Sequence, residues 1–265
     1  MAGPAKRAMN LDIGDIMDQW PYRPGQITAR RINGADGVEK IQLRLDLGIL
    51  QMNTIGRPDG QRPHGCESLL VYYRRQLESH IDETGGDEGF TLDERACELL
   101  RSEAVLYYHR YLAEFVLEDY SSVARDTARN LVLMDFCAGY AQDASDRYVL
   151  EQYRPYVLMM NTRAEAQILV RDQRSKAALD VIEEGIEKIK EFFQRFDHPD
   201  MADESTELVM LRALAGEIES GIPRDPTQEL RDALARAVSD ERYEEAADLR
   251  DRIARTTDDR PSARK

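Results

Sequence analysis

Acidic residues outnumber basic ones in this sequence, and cysteines and long apolar runs are scarce. Lysine and arginine together number 36 against 50 aspartates and glutamates, which gives a formal net charge of −14. Non-specific nucleic-acid binding depends on cationic side chains that displace the counterions of phosphates, so this charge balance disfavours direct binding to DNA or RNA. No segment has the length and apolar character of a bilayer span, so we expect no membrane association.

Cysteine and histidine are too sparse to suggest a site built on them. Cys66, Cys97 and Cys137 lie far apart and form no CxxC pair. This spacing fits neither a disulfide framework nor a zinc site, so we predict reduced, partly buried thiols. His109 and His198 have no further ligand residues at a characteristic distance, and the sequence therefore predicts no metal site and no cofactor.

Apolar periodicity predicts an α+β fold that is mainly α. Hydrophobic residues make up 42% of the chain, which is enough for a folded core. The first residues carry no apolar run after their basic side chains, so the expected compartment is the cytoplasm. We predict three parts: a module with a small antiparallel sheet and covering helices in residues 1–90, a scaffold of helical hairpins in residues 91–220, and a linker, a two-helix hairpin and a flexible tail in residues 221–265.

The N-terminal part carries the strand signals. A short amphipathic helix is expected to end before Pro21, because proline restricts the residue that precedes it. The segments QITARRI and VEKIQLRLDLGILQMNTI then flank NGADG, a connection that suits a hairpin turn. Residues 41–47 alternate apolar and polar side chains, which predicts a half-buried strand in a sheet of three. We expect the helix from about Cys66 to Ile81 to cover the apolar face of this sheet.

The loop GRPDGQRPHG, residues 56–65, offers a second hypothesis about function. Its glycines and prolines indicate turns. Arg57, Arg62 and His64 together could hold an anion or the carboxylate of a partner. The alternative is a structured connection whose arginines pair with local acids such as Asp59.

From Thr91 to about Arg195 the apolar pattern is helical, and Thr91 with Glu94 has the spacing of a capping box. The aromatic residues of VLYYHRYLAEF recur at helical spacing, which predicts a core face for them. Small residues on two successive helix pairs, among them Ala178 and Gly185, would let the helices approach closely. This middle part resembles the tetratricopeptide repeat, although its helix pairs lack the regular period of that family.

Gly221, Pro223 and Pro226 indicate a linker before a terminal pair of helices. Asp225 is placed to cap the first of them, with Pro226 at the first helical position. After an interruption at Ser239 and Asp240, small and apolar residues recur at three- and four-residue steps on a second helix. The sequence therefore predicts a short helical hairpin at the C-terminus.

Residues 243–253, YEEAADLRDRI, resemble the UVR (UvrB/UvrC) motif, in which such a run follows a leucine-bearing first helix. The resemblance implies a helical hairpin through which excision-repair proteins associate. A hairpin shorter than about 40 residues cannot usually bury enough surface to be stable alone, which favours packing against a partner. The partner-binding residues that the resemblance implies are Leu230, Leu234, Ala237, Tyr243, Glu244, Ala246, Ala247, Leu249, Arg250 and Ile253.

The rest of the chain does not resemble the repair proteins that carry this motif. It has no GxxxxGK[ST] phosphate loop and no region similar to the UvrC nuclease. Its N-terminal segments resemble bacterial proteins of uncharacterised function that end in the same motif. We expect a non-enzymatic interaction protein that self-associates or docks on a partner protein. Two alternatives stay open: an accessory factor of nucleotide excision repair acting through UvrB- or UvrC-type partners, and a ligand-binding or enzymatic N-terminal module.

Overall fold

The computed structural model describes residues 12–222, 226–240, 242, 245, 247–250 and 252, and for residues 226–232 it describes the backbone. These residues form three β-strands and ten α-helices, which confirms a mainly helical α+β fold with a small N-terminal antiparallel sheet. The elements are β1 (Thr28–Asn33), β2 (Glu39–Arg44), β3 (Ile49–Asn53), α1 (Gly14–Asp18), α2 (Leu69–Thr84), α3 (Glu94–Val116), α4 (Tyr120–Tyr140), α5 (Ala144–Tyr148), α6 (Arg154–Arg171), α7 (Ser175–Arg195), α8 (Asp200–Glu204), α9 (Thr206–Gly221) and α10 (Pro226–Ser239).

The sheet has the order β1-β2-β3, and both strand pairs are antiparallel. Its first turn is the predicted NGADG connection, which follows the last ladder pair, Asn33 with Glu39. The N–H of Gly34 donates to the carbonyl of Val38 at 2.8 Å, which closes this turn. Gly37 has φ +75°, in the left-handed region that favours glycine. The turn therefore forms where the sequence predicts it.

The apolar face of the sheet packs on α3. Ile41, Leu43 and Met52 are buried against Ala113 of that helix, whose small side chain lets the sheet approach closely. The prediction that the helix after the loop covers the sheet is therefore wrong. That helix, α2, buries Leu69 in the core that α3 and α4 share. Its apolar residues enter this core mainly at its first turn, whereas α3 is long enough to contact both the sheet and α4.

Long helices follow as two hairpins. Helix α3 packs on α4 and α6 packs on α7, while α4 also packs on α6 and joins the two pairs. Gly185 of α7 lies so close to Thr162 of α6 that an added Cβ would be 2.5 Å from the Cγ2 of Thr162. The small residue therefore permits close helix packing, as its position in the sequence suggests.

Three of these helices end with a non-glycine residue in the left-handed region. Glu118, Gln173 and Asp197 have φ values of 58°, 60° and 59°, and they follow α3, α6 and α7. After α6, the N–H of Arg174 donates to the carbonyl of Leu169 at 2.8 Å, the long bond of a Schellman motif. Because none of these residues is glycine, the sequence does not mark these helix ends clearly.

The start of α3 differs from the predicted one. Asp93 is its N-cap, and the carboxylate of Asp93 accepts a hydrogen bond from the N–H of Ala96 at 2.7 Å. The prediction that Thr91 caps this helix is wrong. Leu92, between them, has an extended pairing instead: its N–H donates to the carbonyl of Tyr140 at 2.7 Å, which places Thr91 before the helix.

The chain divides into two compact units, one that reaches Ala215 and one that begins at Gly216. The three-part division at residues 90/91 and 220/221 stays a prediction, as does the tetratricopeptide-like character of the helical hairpins. All strands and the helices from α1 to α8 belong to the first unit, and α10 belongs to the second.

Candidate functional site

The C-terminal unit contains the segment that the sequence singles out for partner binding. Helix α10 begins at Pro226, the predicted first helical position, while Asp225 lies outside the described residues. The chain turns after α10, where the N–H of Arg242 donates to the carbonyl of Ala237 at 2.8 Å. Residues 247–250 are helical again. The described residues therefore form two helical segments joined by a turn, in the order that the predicted hairpin requires.

A small apolar cluster holds the two helical segments together. Ala237 is 0% exposed and Leu249 is 7% exposed, and the partly buried Ala233 and Leu234 pack against them. Because Leu249 comes from the second segment and the other three come from α10, their contact is the core of a hairpin. A hairpin of this length seldom buries enough apolar surface to be stable alone.

The structure describes the side chains of five of the predicted partner-binding residues. Ala237, Leu249 and, in part, Leu234 are buried within the hairpin, while Ala247 and Arg250 are exposed. Leu230 belongs to α10, and its side chain is outside those described. Their role in binding a partner stays a prediction. Outside the described residues lie Tyr243, Glu244, Ala246 and Ile253.

Charged side chains surround the turn of the hairpin. Arg242 donates to the carboxylate of Asp240 at 2.9 Å and to that of Glu245 at 2.6 Å. All three side chains are exposed, so these ion pairs contribute little to stability. They belong to the solvated surface of the hairpin.

The loop at residues 56–65 uses Arg57 for internal contacts. Its guanidinium lies 3.1 Å from the carboxylate of Asp59 and 3.3 Å from that of Glu103. The buried carboxylate of Glu103 also accepts hydrogen bonds from the backbone N–H groups of Leu69 at 2.7 Å and Leu70 at 3.2 Å. Two carboxylates therefore oppose the charge of Arg57, which leaves less of it for an external anion.

Arg62 and His64 of the same loop are both exposed. His64 has φ 50°, in the left-handed region, and its imidazole stacks on the ring of Tyr72 at a centroid distance of 4.0 Å. The three residues of the predicted anion site thus have different surroundings. Arg57 pairs with Glu103 and Asp59, His64 packs on α2, and Arg62 is exposed. The anion site stays a prediction.

Sequence reasoning missed a buried charged cluster between α3 and α4. Arg110 is 1% exposed and forms a bidentate ion pair with Asp126, in which Nε donates to Oδ2 at 2.6 Å and Nη2 donates to Oδ1 at 2.9 Å. Its remaining nitrogen donates to the carbonyls of Asn53 at 3.0 Å and Gly56 at 2.7 Å. A buried charge is costly unless it is paired and hydrogen-bonded, and this one is both. Arg110 therefore ties the loop after β3 to the α3–α4 hairpin.

Glu114 lies beside this pair in a less favourable environment. Its Oε1 is 3.2 Å from Arg125, and within the described residues no group donates to its buried Oε2. Burial raises the pKa of Glu114 to about 8, and the nearby Asp126 carboxylate adds to the rise while Arg110 and Arg125 oppose it. Glu114 is therefore a carboxyl group that the fold holds largely protonated at neutral pH.

The three cysteines are free and buried. Burial raises the pKa of Cys97 to about 11 and that of Cys137 to about 12, so both remain thiols at neutral pH. Because the thiolate is the reactive form, neither is activated as a nucleophile. Within the described ranges, no group of His, Cys, Asp and Glu side chains could hold a metal ion, and each helix is too short or too polar to cross a membrane.

Comparison with known proteins identifies one segment. No curated protein and no solved structure matches the chain. The family model described as the UvrB/uvrC motif matches residues 226–255. This range begins at the first residue of α10 and includes Leu249, so it coincides with the hairpin. Residues 226–255 are therefore a UVR motif, a protein-interaction module found in UvrB- and UvrC-type proteins.

Proposed function

We propose that this chain is a non-enzymatic interaction protein whose C-terminal UVR hairpin self-associates or docks on a partner protein. The observation that carries this proposal is the match of the UVR motif to the helical segments whose contact is Ala237 with Leu249. A hairpin of this length buries little apolar surface alone, and a second protein that packs on it would supply further burial.

The exposed small residue Ala247 supports a close contact with a partner helix. It lies two residues before the buried Leu249 and is itself exposed. Burying an alanine on a partner costs little side-chain entropy and lets two helices approach closely. An arginine at this position would hold the partner away while it leaves the hairpin core unchanged.

Light scattering of the purified full chain across a range of concentrations tests self-association. We expect a dimer that is lost in a chain ending at Ile222, which keeps α9 whole, and weakened at least tenfold by Ala247→Arg. Asp248→Asn is the matched control, because Asp248 is the exposed neighbour of Ala247 and the change alters charge without adding bulk. A dimer that persists unchanged in the shortened chain would refute self-association through the hairpin.

A monomer at all concentrations would leave docking on a different protein, and the UVR match favours UvrB- or UvrC-type partners as the second candidate. In this role the chain would be an accessory factor of nucleotide excision repair. Calorimetric titration with purified UvrB and UvrC should show binding to the full chain and to Asp248→Asn, and no binding to the shortened chain. Equal binding to the shortened chain would place the contact elsewhere, and no binding to the full chain would exclude these two partners.

A further inference from the structure

A cavity of about 450 Å³ opens between α3, α4 and α6. Helices α3 and α6 both pack on α4, and the cavity lies in the space between them. Its volume is within the range of small-molecule sites in proteins, about 300–1,000 Å³. The sequence predicts a core face for the tyrosines of α3, and one side of this face borders the cavity.

Aromatic rings form much of the cavity wall. Tyr108 of α3 is at the centre of the group, with ring centroids 5.5 Å from Tyr111 and 6.2 Å from Tyr156 of α6. The ring of His109 lies 5.3 Å from that of Tyr108. Aromatic pairs prefer the tilted and edge-on arrangements seen here, so this wall offers a further flat ring several favourable positions.

The cavity wall is neutral. No charged side chain lines it in the part of the chain that the structure describes. The one amide, Asn130, already donates to the carbonyl of Ala104 at 3.0 Å and accepts from Arg129 at 3.0 Å. Burial raises the pKa of Tyr156 to about 12, which keeps its phenol protonated. A charged ligand would lose its hydration here without gaining an opposite charge.

His109 provides a polar group for a ligand. Burial lowers the pKa of its imidazole, which keeps the ring neutral at pH 7, and the carbonyl of Val105 accepts a hydrogen bond from it. A neutral imidazole that donates through one nitrogen accepts through the other. The wall therefore combines aromatic surface with a hydrogen-bond acceptor.

The cavity is open to solvent on one side. Val105 on α3 is 50% exposed and Tyr153, just before α6, is 55% exposed, and both line the cavity. These two residues are therefore at the rim, so a ligand can enter without unfolding the helices. A larger side chain at Val105 should close this entrance.

We propose that this cavity binds a neutral aromatic small molecule that carries a single hydrogen-bond donor. The rings of Tyr108, Tyr111 and Tyr156 contact its faces and edges, and His109 accepts its hydrogen bond. This site is on the first compact unit and is independent of the UVR hairpin.

Ligand-observed NMR titration of the full chain with indole tests the proposal. Indole is flat, neutral and carries one N–H donor, so we expect saturable binding. Val105→Trp should weaken it at least tenfold because the larger side chain fills the entrance. Val132→Trp is the matched control, since Val132 is 42% exposed on α4 and does not line the cavity, and it should bind indole as the wild type does.

Two probe comparisons test the chemistry. Indene has the shape of indole without the N–H donor, so it should bind about fivefold more weakly, and His109→Phe should remove this difference. Tryptamine and indole-3-acetate add a positive and a negative charge, and both should bind more weakly than indole. Tighter binding of tryptamine would show that the tyrosine rings select cations and would overturn the neutral ligand class.

Circular dichroism of each variant separates loss of the site from loss of the fold. If Val105→Trp does not fold, Tyr153→Ala replaces it, because Tyr153 is exposed and lines the cavity, and the loss of its ring should weaken indole binding. Unchanged indole binding in a folded Val105→Trp protein would overturn the location of the site. The absence of saturable binding by the wild type would overturn the proposal itself.

Discussion

The natural protein should lose stability as the pH rises because it contains Glu114. Replacing Glu114 by glutamine should remove this pH dependence. Glu114 is fully buried, one of its carboxyl oxygens has no donor among the described residues, and the Asp126 carboxylate lies nearby. Its pKa of about 8 is well above the value of 4.5 expected for an unfolded chain. Glutamine has nearly the same shape and is neutral at every pH.

The sign of the effect follows from proton binding. Between pH 4.5 and about pH 8 the unfolded chain has released the Glu114 proton while the folded chain retains it. The free energy of unfolding then falls with rising pH, by up to about 1.4 kcal/mol per pH unit. Across this window the loss amounts to a few kcal/mol, and above pH 8 it stops growing because both states are ionised.

Urea unfolding at a series of pH values from 4 to 9 gives the free energy of unfolding of Glu114→Gln and of the natural protein. The effect is the difference between these two values at each pH. This difference cancels the titration of groups common to both. We expect it to be small near pH 4 and to favour the variant increasingly up to about pH 8. A difference that does not change with pH would refute the reasoning, since it would mean that folding leaves the pKa of Glu114 unaltered.

Glu103→Gln is the matched control, because Glu103 is equally buried on the same helix but both of its carboxyl oxygens accept hydrogen bonds. Its carboxylate accepts from the N–H groups of Leu69 and Leu70 and pairs with Arg57 and Arg129. Removing this charge takes from Arg57 and Arg129 the buried carboxylate that they share, and breaking a buried pair costs about 3–5 kcal/mol. The same substitution at two buried positions should therefore change stability in opposite directions at pH 8.

Three further substitutions test other parts of the fold. Gly185→Ala should lower the free energy of unfolding in urea by about 1–3 kcal/mol, because the added Cβ would lie 2.5 Å from Cγ2 of Thr162. Gly139→Ala is the control and should not lower it, because Gly139 has open space around it. Equal urea midpoints for the two variants would contradict the close packing of Gly185. Gln173→Gly should raise stability by about 0.5–1 kcal/mol in thermal unfolding by removing left-handed strain at φ 60°, and a decrease would show no such strain. Leu249→Asn should abolish amide-exchange protection in α10 and leave α4 protected, and loss in both would show one cooperative unit.

The elements with strong local signals could be predicted from the sequence. Alternation at residues 41–44 and the glycines of NGADG predict the first hairpin, because side-chain period and turn chemistry are properties of neighbouring residues. The predicted continuation of this half-buried strand to residue 47 is wrong, since β2 ends at Arg44, Leu47 is 89% exposed and the polar Gln42 is buried. Proline at the start of α10 predicts that helix start for the same reason. The helix that covers the sheet could not be predicted, since α2 and α3 both offer apolar faces and only packing selects between them. The Asp93 cap depends on the pairing of Leu92 with a distant strand-like segment.

The UVR hairpin could be predicted because its residue order is local, whereas the charged cluster depends on contacts between distant segments. Glu103, Arg110 and Glu114 lie on the same face of α3 as the buried Tyr107. Charged residues at apolar positions of a helix are the sequence pattern that could have indicated this buried cluster. Their partners could not be read from the sequence. Arg57 and Glu103 are far apart in the chain, and their pairing depends on how the loop folds back.

Arg110 explains why the sheet and the helical hairpins belong to one compact unit. It contacts the end of β3 and the following loop through two carbonyls and α4 through Asp126, so unfolding either part removes some of the partners of a buried guanidinium. That penalty couples the two parts, because an unpaired buried charge costs several kcal/mol. The UVR hairpin is short, and the ion pairs of Arg242 beside its turn are exposed. Its stability is therefore open to control by a partner, because binding to the folded hairpin stabilises it by an amount that rises with the logarithm of the partner concentration divided by Kd.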